Sequence, residues 1–211
     1  MVCAICQVRR PKRFCPGVRG DICTICCGTE REVTVACPLN CEYLQDARRH
    51  EKPVLNIDHL PNRDIKISEN FLHEHGELIA FLGAALRESA LKTPGVADFE
   101  VRDALEALIR TYRTLQSGIY YETRPEHSLA GGIFRDLQSG LTDFRARERQ
   151  QRGLAKTRDS DVLGALVFFQ RLELHRNNGR PKGRAFIDTL RSFDPMLEEP
   201  GESSRSRLIL P

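Results

Sequence analysis

The last 170 residues of this 211-residue chain contain no cysteine. No apolar run approaches the ~20 residues that a membrane span requires. The longest, Val162 to Phe169, is interrupted by Gly164 and stops at Gln170-Arg171. Met1-Val2-Cys3 opens no basic segment followed by an apolar one, so no secretory leader and no membrane association are expected, and a cytoplasmic location is. Phosphate loop, G-x-G-x-x-G, nucleophile elbow and H-E-x-x-H are all missing, so no catalytic motif nominates a reaction and no enzymatic activity is expected. Lysine is scarce, 6 against 26 arginines, which a GC-rich genome explains without functional demand. Apolar residues make up 40% and mean hydropathy is −0.40, enough for a core in one medium domain with a small additional module.

All eight cysteines fall in the first 41 residues: Cys3, Cys6, Cys15, Cys23, Cys26, Cys27, Cys37 and Cys41. A C-x2-C turn lets two thiolates converge on one ion, and four thiolates close a tetrahedral site with Zn–S near ~2.3 Å. Eight thiolates suit two structural Zn2+ ions. A disulfide framework suits a secreted mini-domain. An iron–sulfur cluster also takes four thiolates and stays open as the alternative, with thiol redox chemistry as its function. One register pairs Cys3, Cys6, Cys23 and Cys26 in one site and Cys15, Cys27, Cys37 and Cys41 in the other, since adjacent Cys26 and Cys27 point to different ions. A second register reads Cys23-x3-Cys27 before Gly28. His50 could replace one thiolate. The segment has few large apolar side chains, so metal binding is expected to supply the free energy that its core lacks.

The order of short-spaced cysteine pairs, ending in a helix that starts near Cys41, resembles the cross-brace or treble-clef zinc fingers of the RING, MYND and HIT-finger kind over about residues 3–50. The combination Cys26-Cys27-Gly28-Thr29-x-Arg31 with Cys37-Pro38-x-x-Cys41-x-Tyr43-Leu44-x-x-Ala47-Arg48-x-His50 is similar to a set of uncharacterised bacterial cysteine-rich proteins. The resemblance implies metal binding in a bacterial intracellular protein and no particular activity.

The fold class expected is thus a small zinc-stabilised module, residues 1–52, followed by an all-α domain. Residues 53–67 read as a linker or extended arm. Residues 68–193 read as about five helices. Ser68 caps the first, with Phe71, Leu72, Leu78, Ile79, Leu82 and Leu86 at helical spacing up to Thr93-Pro94-Gly95. Asp98 caps the second, which Gly118 stops. The third runs from Glu126 to about Arg149, weakened by Gly131, Gly132 and Gly140. The fourth, Asp159 to Asn177, is apolar nearly all round and therefore central. The fifth is Arg184 to Phe193. Glu100–Arg110 with Gly118 lines up with Asp161–Arg171 and Gly179 as a faint repeat, too few copies for a solenoid. Residues 194–211 read as a disordered tail.

Formal net charge is +3, but eight thiolates and two Zn2+ would bring it to about −1, so overall charge makes no case for nucleic acid. Locally, Arg145, Arg147, Arg149, Arg152, Lys156 and Arg158 could neutralise phosphates, or simply form a solvated helix end. Tyr120, Tyr121 and Arg124, near a helix junction, could face a partner or seal the junction. The functional expectation is a binding module in which metal fixes a finger and the helical domain offers a platform to a protein, or to nucleic acid through 145–158.

Overall fold

The computed structural model describes residues 1–51, 60–119 and 121–193. Its cysteine segment is organised around the thiols and not around a conventional core. Strands β1 (Arg13–Cys15) and β2 (Gly20–Ile22) form an antiparallel hairpin that pairs Arg13 with Ile22 and Cys15 with Gly20. Phe14, between two inward positions, points out to solvent. Helix α1 (Thr24–Thr29) follows at once, and α2 (Glu42–His50) starts directly after Cys41. The buried cluster here is Cys3, Cys15, Ile22, Cys23 and Cys26, with Ile5, Val18 and Val35 packed on it. Such a cluster is mostly sulfur and too small to hold fifty residues by apolar burial alone.

Among the described residues the remaining elements are all helices: α3 (Glu69–Glu74), α4 (Gly76–Lys92), α5 (Asp98–Gln116), α6 (Ser128–Arg152), α7 (Asp159–Arg176) and α8 (Ala185–Arg191). No helix among them is long and apolar enough to cross a membrane. Helix α5 lies between α7 and α6, and α4 touches α6, α7 and α8. Leu82, Leu86, Val101, Leu105, Leu108, Ile133, Leu137, Phe169 and Phe186 fill the space they enclose. At an order of ~2 kcal/mol for each large side chain buried, this core has its own driving force for folding. Helix α7 is buried on several sides, and Gly164 on it is needed for close approach. A Cβ there would lie 2.5 Å from the Phe71 ring.

Three details differ from the pattern read in sequence. The first apolar helix is two, because the chain breaks at His75 (φ −110°, ψ 22°). Ser68 caps the shorter piece through its hydroxyl, which accepts from Phe71 N. The half of the expected linker that is described, residues 60–67, is pinned to the helices: Arg171 donates to the carbonyls of Asn62 and Ile65, and Arg113 donates to Asn62 and Asp64. Ile65 and Ile67 pack on the core. The remainder of that linker, Tyr120 and the expected tail lie outside the described residues.

The third detail is Asp98. It does not cap its own helix; α5 begins after Ala97, whose N–H donates to Glu100. The Asp98 carboxylate instead accepts from Phe186 N at 2.9 Å and Ile187 N at 3.0 Å, closing the start of α8. Burial pushes this carboxyl up to about 7 against those two bonds, helped by the charges of Glu173 and Glu32. A folded-state value above the unfolded one means that the native state holds the extra proton between about pH 4 and pH 7. Stability therefore falls as pH rises through that window, by up to about 1.4 kcal/mol per pH unit. Asp98→Asn should flatten this slope. Urea midpoints followed by helical ellipticity at pH 5.5, 6.5 and 7.5 measure it, and equal slopes for both proteins would contradict the assignment.

Candidate metal centre

Cys3 and Cys6 flank a tight turn in which Gln7 N donates to Cys3 O, and the return of the chain lets Cys3 N donate to Arg9 O. Cys23 and Cys26 sit at the start of α1. Cys23 is its N-cap, and its sulfur accepts from Cys26 N at 3.4 Å. Two bonds join these segments: Ala4 N donates to Asp21 O, and Cys23 N donates to the Cys3 sulfur at 3.2 Å. The result is that the Sγ atoms of Cys3, Cys6, Cys23 and Cys26 all lie within 4.8 Å of one another. Tetrahedral zinc–thiolate geometry has sulfur–sulfur edges of about 3.8 Å, which fall within that limit. All eight cysteines are free thiols.

The thiols of Cys3, Cys6 and Cys26 are shifted in opposite directions. Burial pushes the Cys3 thiol up, but the backbone N–H groups of Cys6, Cys23 and Ile5 together hold it down to about 6. The N–H groups of Arg9 and Val8 likewise lower Cys6. Cys26 moves the other way, to about 12, because burial and the neighbouring sulfurs of Cys23, Cys6 and Cys3 oppose a fourth negative charge. The surroundings thus favour thiolates at Cys3 and Cys6 and oppose one at Cys26, a repulsion that a divalent ion would relieve. Arg9 sits against Cys23 and Cys6, and their sulfurs hold it more firmly protonated.

The other four cysteines behave differently. Cys15, Cys27, Cys37 and Cys41 line one small cavity of about 20 Å³, together with Arg13, Arg31 and Tyr43. Among the described residues only the first four show the mutual convergence of ligand atoms that a metal needs. Cys27 Sγ accepts from Arg13 Nη1 at 3.8 Å and Arg31 Nη2 at 3.9 Å, and the Arg13 guanidinium also lies 3.9 Å over the Tyr43 ring. Burial raises the Cys37 thiol, and the charges of Glu32, Cys15 and Cys41 raise it further. The convergence observed is that of the first site in the register that separates Cys26 from Cys27.

Compared with known proteins, the chain matches no family model, no curated protein and no solved structure. The likeness to cross-brace fingers therefore rests on the residues themselves.

The basic stretch on α6 is partly engaged within the protein. Arg145 pairs with Asp159 at 2.7 Å, Arg147 lies over Phe81 and Phe144 at about 6 Å, and Arg152 pairs with Glu77 at 3.3 Å. Arg149 and Lys156 are exposed. Tyr121 is exposed, and Arg124 pairs with Glu122 at 2.8 Å.

Sequence reading missed the residue that joins the two parts. Glu32 is fully buried and adopts a left-handed backbone (φ 53°), which is unfavourable for a non-glycine residue. Its carboxylate accepts from Arg48 Nη2 and Asn178 Nδ2, both at 2.7 Å, and from Arg184 N at 3.0 Å. Arg48 also pairs with Asp188 on α8. Leu39, from the cysteine segment, packs into the helical core. The boundary near residue 52 is therefore a boundary of chemistry and not of packing. A lone glutamate among 61 charged residues carries no local signal of burial; its partners lie 16 to 152 residues away.

Proposed function

We propose that the chain is a zinc-built finger clamped onto a helical platform, and that the pair serves as an interaction module for a protein partner. The observation that carries the metal is the mutual approach of four sulfurs within 4.8 Å. Zinc is favoured over iron because paired short-spaced thiolates closed on a tetrahedron are a structural zinc donor set, and the eight cysteines match neither common ferredoxin spacing. Cys15, Cys27, Cys37 and Cys41 hold a second ion in this reading, with Arg13 and Arg31 offsetting the charge of the filled centre.

A protein partner is favoured over nucleic acid by what the finger exposes. Val8 lies two residues after Cys6, Ile25 lies between Cys23 and Cys26, and Phe14 stands on the hairpin; all three are more than half exposed. Metal-fixed apolar side chains of this kind are anchors for a partner surface. Against nucleic acid, Arg145, Arg147 and Arg152 on α6 already have partners within the chain. The deciding experiment is elemental analysis of protein purified without air. Two zinc per chain and no visible absorption are expected. Iron with labile sulfide in a coloured protein overturns zinc and makes the finger a redox centre.

A further inference from the structure

A cleft of about 600 Å³ opens where the finger meets the platform, a volume that suits a small molecule. One wall is the end of α2; the other is the end of α7 together with α8. A second cleft, of about 580 Å³, shares Arg48, Asp188 and Ser192 with the first. Across the two, five arginines (Arg48, Arg49, Arg176, Arg180 and Arg191) face two acids, Glu51 and Asp188. Both acids are already answered. Asp188 pairs with Arg48 and Arg191, and Glu51 lies 3.8 Å from Arg180. Arg176 is exposed at the last position of α7 and has no hydrogen bond or ion pair among the described residues.

His175 stands beside it in the same wall. Its Nδ1 is closed to solvent and has no partner among the described residues, which leaves Nε2 as the nitrogen that can donate into the cleft. Burial lowers the pKa of this ring, and the charge of Arg176 lowers it further with no acid opposing. The Ser192 hydroxyl is exposed at the rim.

We propose that this cleft binds a small phosphate ester, with Arg176 as its anchoring cation and His175 and Ser192 as neutral donors. A monoester brings nearly two negative charges and three acceptor oxygens, which matches a surplus of guanidinium groups better than a single carboxylate does. Because one wall belongs to the finger and the other to the platform, an occupied cleft ties the two together. The site does not depend on which metal the finger holds, or on how many ions.

The full-length protein as purified is titrated with ribose 5-phosphate at fixed ionic strength, and with ribose as the uncharged control. Binding is followed by NMR shifts of backbone amides and arginine side chains. Saturable shifts are expected at α2, the end of α7 and α8, and none with ribose. Arg176→Glu should weaken binding on the order of tenfold or more, and Arg149→Glu, at an exposed site on α6, should leave it unchanged. Arg176 holds no partner in the fold, so its replacement should leave the remaining spectrum in place. No saturable shift in the wild type, or equal affinity in wild type and Arg176→Glu, overturns the site. Single-stranded DNA that shifts these residues where ribose 5-phosphate does not overturns the assignment to a small molecule.

Discussion

Cys23→Ser should empty the first centre and unfold the finger, while most of the ellipticity of α4 to α8 persists. Cys23 is buried and acts three times: as a ligand of the proposed metal, as the N-cap of α1, and as the N–H donor to the Cys3 sulfur. A serine oxygen can still cap a helix, so the loss is chiefly that of the metal. A structural zinc is worth on the order of 10 kcal/mol to a small domain, and Ile22, Ile5 and Val35 cannot replace that. Metal content should fall by one ion per chain, and amide exchange should accelerate across residues 13–29. The helical part keeps its own core but loses Leu39 and the Glu32 contacts, so its unfolding midpoint should drop without its helix signal vanishing. Collapse of that signal would show that the helices cannot stand without the finger.

The reason this outcome could be framed from sequence is that the chemistry of the finger is local. Cys3–Cys6 and Cys23–Cys26 each span one turn, and a turn fixes where two sulfurs point. The apolar stripes of α5 and α7 were equally legible, as were the end of α5 just before Gly118, left-handed at φ 77°, and the end of α7 next to Asn177. What could not be read is action across the chain. Asp98 has the look of a helix cap in sequence because acids favour helix starts, and it does serve a helix start, but that of α8, 88 residues on. The break at His75 interrupts a continuous apolar pattern and so left no sign in periodicity. Glu32 and Glu173 are acids in polar surroundings until the fold closes over them.

Arg102→Leu should cost about 3 kcal/mol or more at pH 8, and clearly less at pH 5. Arg102 reaches from α5 to Glu173 on α7 with two parallel bonds, Nε to Oε2 at 2.8 Å and Nη2 to Oε1 at 2.9 Å. Glu173 is fully buried, so removing the arginine strands a carboxylate where water cannot reach it, a loss of roughly 3–5 kcal/mol in comparable pairs. Burial already raises the Glu173 carboxyl against the opposing pull of Arg102, and without that pull it rises further. The folded-state value then lies well above the unfolded one, and stability declines as pH climbs between them. At pH 5 the stranded group takes up a proton and much of the penalty disappears. Chemical unfolding at the two pH values separates this from a simple packing defect, which would cost the same at both. Arg102→Leu combined with Glu173→Leu should recover most of the loss, since an apolar pair needs no compensating charge. The effect also reaches the finger: Asn177 N donates to the Glu173 carbonyl where α7 ends, and Asn178 follows with its bond to Glu32. Fraying of α7 in the single variant should therefore loosen the turn that receives the finger. Amide exchange at Lys182 and Arg184, whose N–H groups both donate to Glu32, is the direct readout.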